Sequence, residues 1–175
     1  MTTDRPRYET KDDVNAEDAV AAVAGPILNC TFKKLSEIHY GVDFAMRQGR
    51  LFFGYAEVKR RRIKHHDFTT YVVSMAKFTW GLALADRAAV PFVLLVQYDD
   101  ALVCYDATAI AAAGLVTVEM GGRSDRGDPK DIEPMAHMPV DSGRVLKEGN
   151  PDRDDAARDT SIKAMRSVLP AEDEA

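Results

Sequence analysis

Residues 41–64 read GVDFAMRQGRLFFGYAEVKRRRIK, and this stretch decides which fold the sequence predicts. Gly41–Met46 and Leu51–Lys59 have the alternation and aromatic content typical of β-strands. Between them, Arg47-Gln48-Gly49-Arg50 supplies a glycine where a hairpin turn needs a positive φ. The residues that follow, Arg60–Asp67, form a basic loop. We therefore expect an antiparallel hairpin that leads into a cationic segment.

The sequence on either side of the hairpin predicts an α/β domain on a mixed sheet. The core elements expected around the hairpin are a helix from near Asp13 or Asn15 through Ala24, a strand at Cys30–Leu35, a long helix from about Thr69 to Arg87, and strands at Pro91–Tyr98 and Ala101–Tyr105. The first helix either ends at Gly25-Pro26 or continues for one more irregular turn up to Asn29. Further along we expect a short helix at Ala107–Ala113, strands at Leu115–Met120 and Met135–Val140, a loop at Gly121–Asp131 and a helix at Asp154–Leu169. The chain is thus predicted to be a single domain, with its core at about 15–106, a C-terminal extension at about 107–170 and an acidic tail at 171–175.

Composition excludes several classes of protein. The 175 residues are 46% hydrophobic and 29% charged, which is too apolar for a disordered chain. The only two cysteines, Cys30 and Cys104, are too few for a disulfide framework. The polar segment Met1–Lys11 does not resemble a signal peptide, and the apolar stretches are too short to span a bilayer. We expect a soluble protein of a reducing, cytoplasmic compartment.

Positive charge is concentrated in one segment of a chain whose formal net charge is -5. Arg47–Lys77 contains eight bases and two acids, which indicates that a polyanion approaches one face. The alternative is a solvated loop that is merely rich in arginine. For the adjacent His65 and His66 we expect phosphate contact or solvation rather than metal ligation.

Asp43, Glu57 and Lys59 form the constellation that suits chemistry. Glu57 and Lys59 are two residues apart on a strand, so both side chains leave the same face of the sheet. An acid and a lysine there are costly to bury unless they are paired. Two carboxylates from neighbouring strands suit Mg²⁺, which binds few protein carboxylates and keeps several waters.

The register of the hairpin decides whether the two acids meet. A turn centred between Gln48 and Gly49 places Asp43 opposite Gly54, and the acids then point to different faces. A three-residue loop centred on Gly49 places Asp43 opposite Tyr55 and brings the acids to one face. A bulge at Gly54 has the same effect. The site therefore requires one of these two devices.

Glu17 and Lys77 each interrupt the apolar face of a predicted helix. Either one alone is more typical of a rim residue whose stem packs while its charge reaches water. Together they are explained more simply if both helices direct a charge to the same site. Trp80 lies in the same apolar stripe as Lys77 and is expected to be a packing residue.

These residues resemble the PD-(D/E)XK nuclease superfamily, whose restriction-endonuclease-like core runs α-β-β-β-α-β. The resemblance covers roughly Asn15 to Tyr98, and the stretch also looks like small phage-borne or mobile-element members. Asp43 matches the first acid of the motif, Glu57 the second and Lys59 its lysine. Val42 stands where the family's name has a proline, and residues from Ala107 onward match nothing in the core.

The resemblance implies a nuclease that uses Mg²⁺ or Mn²⁺ to hydrolyse phosphodiester bonds in DNA, with RNA as an open alternative substrate. Asp43, Glu57 and the Val58 carbonyl would hold the metal, with Glu17 bound to it directly or through water. Lys59 would position the attacking water, and Lys77 would bind a phosphate or stabilise developing charge. The residues expected to grip the nucleic-acid backbone are Arg60, Arg61, Arg62, Lys64, Arg47 and Arg50.

Two other functions stay open at this point. One is a nucleic-acid-binding module of the same fold that does not cut. The other is a structural or partner-binding protein in which Asp43, Glu57 and Lys59 form a buried ion pair. A second copy of the chain is a further candidate partner, since paired cuts need paired sites.

Overall fold

A computed structural model of the chain describes residues 11–35, 41–122 and 132–149. The helices are α1 (Lys11–Leu28), α2 (Met75–Ala88) and α3 (Ala107–Ala112), with a 3-10 turn at Val140–Ser142. The strands are β1 (Thr31–Lys34), β2 (Phe44–Gln48), β3 (Leu51–Arg60), β4 (Thr70–Ser74), β5 (Phe92–Gln97), β6 (Ala101–Asp106), β7 (Thr117–Gly122), β8 (Ile132–Pro139) and β9 (Arg144–Glu148).

Within the described residues, six strands form a central mixed sheet in the order β1-β2-β3-β5-β6-β9. Strands β3 and β5 are parallel and are joined through α2, whereas the other neighbouring pairs are antiparallel. Three further strands form a second sheet in the order β4-β8-β7. The mixed sheet with flanking helices is the architecture that the sequence predicted.

The central sheet is covered on both faces, and β5 shows why. All six of its side chains are buried. Val93 and Leu95 pack with residues of α1 on one face, whereas Phe92, Leu94 and Val96 pack with α2 and the second sheet on the other. A strand buried on both faces needs the continuous apolar sequence that FVLLVQ provides. The end of this sheet, where β3 finishes between α1 and α2, positions the candidate site.

The long helix predicted from Thr69 to Arg87 is wrong in its first part. Thr70–Ser74 is strand β4, paired with β8, and α2 begins only at Met75. The TYVV sequence is β-branched and aromatic, which favours a strand once a partner strand is present. That partner, β8, lies about sixty residues further along the chain, beyond the reach of a local pattern.

Helix α1 begins before its predicted start and takes the later of the two ends that the sequence left open. It continues beyond Ala24 through Gly25 and Pro26 to Leu28, and the chain leaves it at Asn29 with φ 52°. None of the described helices is both long and apolar enough to cross a membrane.

The region after Ala107 is built into the rest of the structure. Strand β8 pairs with β4, and β9, which the sequence did not predict, pairs with β6 at the edge of the central sheet. Gly121 and Gly122 belong to β7, so the predicted loop starts too early. The rest of that loop, 123–131, and the predicted helix at 154–169 lie outside the described residues. The division into one domain with a core and an extension stays a prediction.

Candidate active site

The β2–β3 hairpin brings Asp43 level with Glu57 through a bulge. Gln48 pairs with Leu51 across a two-residue turn at Gly49-Arg50, so the turn is centred further along the chain than either turn predicted from the sequence. The register then shifts by one residue at Phe53, and further along Phe44 pairs with Ala56. This pairing places Asp43, the preceding residue, across from Glu57 at the end of the ladder. The observed bulge at Phe53 is thus one residue before Gly54, where the sequence predicted a bulge.

Both carboxylates are buried, with 1% exposure for Asp43 and 0% for Glu57. Asp43 Oδ2 accepts a hydrogen bond from the Val58 backbone N–H at 2.7 Å. Glu57 Oε1 lies 2.5 Å from Lys59 Nζ and 3.3 Å from Lys77 Nζ. The other oxygen of each acid, Asp43 Oδ1 and Glu57 Oε2, is buried with no hydrogen-bond partner among the described residues. Because an unsatisfied buried oxygen is costly, these two atoms are suited to a cationic ligand.

Lys59 is held as an ammonium. Burial by itself lowers its pKa, but the negative charges of Glu57 and Asp43 outweigh that effect, so the pKa of Lys59 is raised. A lysine that stays protonated at neutral pH donates hydrogen bonds and positive charge and is not a general base. Its chemical use is therefore to orient a nucleophile or stabilise negative charge.

Lys77 reaches the same carboxylate from α2. Its ammonium donates to the Gly41 carbonyl at 3.1 Å as well as approaching Glu57. Gly41 has φ +65°, and a Cβ on it would lie 2.7 Å from the Trp80 ring. Trp80 was expected to be a packing residue, and its side chain packs over the Gly41 turn while it stays 48% exposed. Helix α2 is thus tied to the turn that carries Asp43.

Glu17 reaches the site from α1 through a lysine that sequence reasoning missed. Its carboxylate pairs with Lys34 Nζ, which also lies 3.9 Å from Asp43 Oδ1. Burial is the main cause that raises the pKa of Glu17, the hydrogen bond from Lys34 opposes it, and the charge of Asp43 adds to it. Lys34 shares the half-buried side of β1 with Phe32. The signal available in the sequence was a lysine two residues after a phenylalanine in a predicted strand, which places both side chains on one face.

The acids fit a metal that takes few protein ligands. In the described ranges, no three His, Cys, Asp or Glu side chains come close enough together to hold a metal ion. Glu17 Oε2 is paired with Lys34, and the buried carboxylate oxygens of the described residues that have no hydrogen-bond partner are Asp43 Oδ1 and Glu57 Oε2. Two carboxylates with water completing the shell is a donor set typical of Mg²⁺. The roles predicted for Glu17 and the Val58 carbonyl as ligands stay predictions.

The basic residues after β3 divide into exposed and packed groups. Arg60, Arg62 and Lys64 are exposed. Arg61 instead turns inward: its Nη2 donates to the Val72 carbonyl at 3.0 Å, and its guanidinium lies 5.6 Å from the centre of the Tyr71 ring. The predicted phosphate-binding role therefore suits the three exposed side chains better than Arg61.

Arg47 and Arg50 lie at the other end of the hairpin. Strand β3 starts beside Arg50 and carries Glu57 six residues after Leu51, a distance of about 20 Å along an extended strand. The structure therefore does not bring these two arginines to the carboxylates. Any contact that they make with a polyanion would be a separate one.

His65 anchors the basic loop in the core. Its side chain is 5% exposed, its Nε2 lies 3.3 Å from the Tyr105 hydroxyl, and its backbone N–H donates to Asp100 Oδ1. Burial, with the positive charge of His66 as the second cause, lowers the pKa of His65. The expectation that His65 is solvated is wrong, because the neighbouring tyrosines, Tyr98 after β5 and Tyr105 in β6, are far away in sequence.

Comparisons with known proteins bear on the family and the fold of the chain. A family model described as "Phage putative PDDEXK endonuclease" matches residues 3–145. No curated protein sequence matches significantly. Among solved structures, Hjc, a Holliday junction resolvase from the archaeal hyperthermophile Archaeoglobus fulgidus, matches with a TM-score of 0.51 and 10% identity. The match covers 77% of this chain and 92% of the resolvase chain, and it confirms the fold that the sequence predicted.

Proposed function

Because the chain belongs to the phage PD-(D/E)XK endonuclease family, we propose that it is a divalent-metal-dependent nuclease that cuts DNA. One observation carries this proposal. Two buried carboxylates, Asp43 and Glu57, each keep one oxygen without a hydrogen-bond partner among the described residues. They lie beside two ammonium groups at the end of the sheet. A purely structural ion pair has no reason to leave those two oxygens unsatisfied.

Asp43 and Glu57 would hold Mg²⁺ or Mn²⁺ through these oxygens. When bound, the cation would lower the pKa of a water and stabilise charge on the phosphate. The Val58 N–H fixes the orientation of Asp43, and the Lys59 and Lys77 ammonium groups fix Glu57. Lys59 would orient the attacking water, and Lys77 would stabilise negative charge on the phosphate oxygens.

The exposed bases Arg60, Arg62 and Lys64 would contact the DNA backbone next to the site. Contacts of this type bind phosphate whatever the base sequence. The fold neighbour acts on Holliday junctions, so a four-way junction belongs among the substrates to be tried. Cytoplasmic action, expected from the sequence, fits such a substrate and stays a proposal.

Cleavage assays with matched variants test the proposal. Supercoiled, linear, single-stranded and four-way-junction DNA are incubated with Mg²⁺, Mn²⁺ or EDTA. We expect metal-dependent cutting that falls by about 10²–10³-fold in Lys59→Ala, because a charge that acts in the transition state is lost. Asp43→Asn should abolish cutting and metal binding together. Lys33→Ala, which removes an exposed lysine of β1, is the control and should cut as the wild type does.

The other two functions give different results. A binding module would bind DNA in a salt-sensitive way without cutting in any metal. A structural ion pair would neither cut nor bind, and Mg²⁺ would leave the melting temperature unchanged, whereas a bound cation raises it. Equal activity in Lys59→Ala and Lys33→Ala would contradict the role given to Lys59.

A further inference from the structure

The site carries as many lysines as acids, and one of these lysines has no assigned role. Lys59 and Lys77 both contact Glu57 and belong to the proposed chemistry. The third lysine, Lys34, lies on the other side of the site with Glu17 and Asp43. Among the described residues, three negative and three positive charges therefore face one another before any metal is bound. A divalent cation added to this set would leave an excess of two positive charges.

The position of Lys34 relative to Asp43 is the decisive feature. Its Nζ contacts Glu17 and lies 3.9 Å from Asp43 Oδ1, the same oxygen that has no hydrogen-bond partner among the described residues. The ammonium also lies 4.9 Å from the centre of the ring of Phe44, and Phe44 is the residue that pairs with Lys34 across the β1–β2 ladder. Lys34 thus stands beside the oxygen that a metal would take.

We propose that Lys34 is an internal counter-ion of this site, and that a divalent cation binds in competition with its ammonium group. In the metal-free protein the ammonium neutralises Glu17 and Asp43, which would otherwise repel each other. When a cation occupies Asp43 Oδ1, two like charges are brought close together and the Lys34 side chain moves away. The inference rests on the proposed function, because the cation is the one that the nuclease would use.

A cleft beside Lys34 could accommodate its displaced side chain. Its side chain is 30% exposed and lines a cleft of about 600 Å³ between α1 and the β1–β2 pair. Asp18 lines the same cleft and supplies a negative charge for the displaced ammonium. The cleft is therefore the space into which the proposal displaces the Lys34 side chain.

The test is metal binding to the DNA-free protein, measured with Mn²⁺ by calorimetry and by the loss of the free-ion spin-resonance signal. Lys34→Met keeps the aliphatic stem over Phe44 and removes the charge. We expect it to bind Mn²⁺ about tenfold more tightly than the wild type, since one nearby positive charge is gone. In EDTA it should melt at a lower temperature, because Glu17 and Asp43 lose their counter-ion. Lys34→Arg, which retains the charge, should keep wild-type affinity.

Lys33→Met is the matched control, because Lys33 is the neighbouring lysine on the exposed face of β1. Unchanged or weaker Mn²⁺ binding in Lys34→Met would overturn the inference, as would an equal gain in Lys33→Met. If Lys34→Met does not fold without metal, Lys34→Gln carries the same expectation and retains a hydrogen-bond donor for Glu17. Equal binding in all variants with metal-dependent cutting by the wild type rejects the Lys34 inference alone. Absence of Mn²⁺ binding and of cutting in every variant rejects the proposed function as well.

Discussion

At the scale of single residues, Gly41 links a backbone conformation to the chemistry of the site. Its φ of +65° lies in the region that favours glycine, and the Trp80 ring leaves no room for a Cβ. Its carbonyl accepts the hydrogen bond from Lys77, the lysine that also approaches Glu57. Gly41, which has no reactive side chain, thus helps to position the charged side chain of Lys77 at the candidate site.

Gly41→Ala should therefore lose stability and activity together. Gly49→Ala is the control, because Gly49 has nearly the same φ, +60°, but nothing within 4 Å of its Cβ position. We expect Gly49→Ala to cost about 1 kcal/mol from the backbone alone, and Gly41→Ala to cost roughly 1–3 kcal/mol more as Trp80 is displaced. Urea denaturation of both variants measures the difference. Equal losses would show that the contact with Trp80 contributes nothing.

At the scale of elements, the basic loop after β3 is fixed to the core at several points. The Arg61 N–H donates to the Gln97 carbonyl and the Asp99 N–H to the Ile63 carbonyl, so the loop pairs with the chain at the end of β5. His65 then packs beside Tyr98, which follows β5, and Tyr105 of β6. A loop held in this way presents its exposed bases in a defined place beside Glu57 and Lys59.

The buried His65 predicts that stability falls in mild acid. Its pKa is lowered below 6.5 in the folded state, so the unfolded chain binds the proton more readily. The stabilisation is present above pH 6.5 and is lost as the pH falls through the folded-state pKa. The charged or titratable groups around it are His66, Asp100, Asp141, Tyr98 and Tyr105.

The measurement is the free energy of unfolding in urea between pH 7.5 and pH 5. His65→Gln should be about 1 kcal/mol less stable at pH 7.5, because a buried hydrogen bond is lost, and its stability should depend less on pH. His66→Gln, at an exposed neighbour whose pair with Asp141 contributes little, should keep most of the pH dependence. The same pH dependence in wild type and His65→Gln would contradict the prediction.

At the scale of the whole molecule, the distribution of charge matters more than its total. The formal net charge is -5, yet the exposed bases of the loop collect next to the carboxylate site. A polyanion is therefore attracted to the part of the surface that carries these bases, which orients it before contact. The arginines at the other end of the hairpin belong to a different part of that surface.

DNA binding should accordingly depend on salt through the loop and not through the hairpin. In EDTA, where cutting is prevented, we expect Arg62→Ala to reduce the slope of log affinity against log salt by about 1, the loss of one phosphate contact. Arg47→Ala should leave the slope unchanged. Fluorescence anisotropy over a range of salt concentrations measures both. A smaller slope in Arg47→Ala alone would move the DNA path to the hairpin end.

The sequence by itself determined the class of fold and the central part of the site. Asp43, Glu57 and Lys59 lie on two strands joined by a short turn, and a strand's period of two residues reports which side chains share a face. The unbroken apolar strand at Pro91–Tyr98 likewise indicated a centre covered on both sides. These features depend on neighbours in the chain, so local patterns are enough to predict them.

Only the tertiary structure decided how the site is completed. The bulge at Phe53 sets the register, β8 turns Thr70–Ser74 into a strand, and Lys34 is placed between Glu17 and Asp43. Each depends on a balance of packing, strand pairing and charge between segments far apart in sequence. Arg61 and Arg62 show the same limit of sequence-based prediction. The two adjacent arginines are equivalent in the sequence, and only the fold places the Tyr71 ring against Arg61. The physical reason is that a contact contributes to the free energy of folding only when the fold brings its two partners within contact distance. The sequence around either partner does not report that distance.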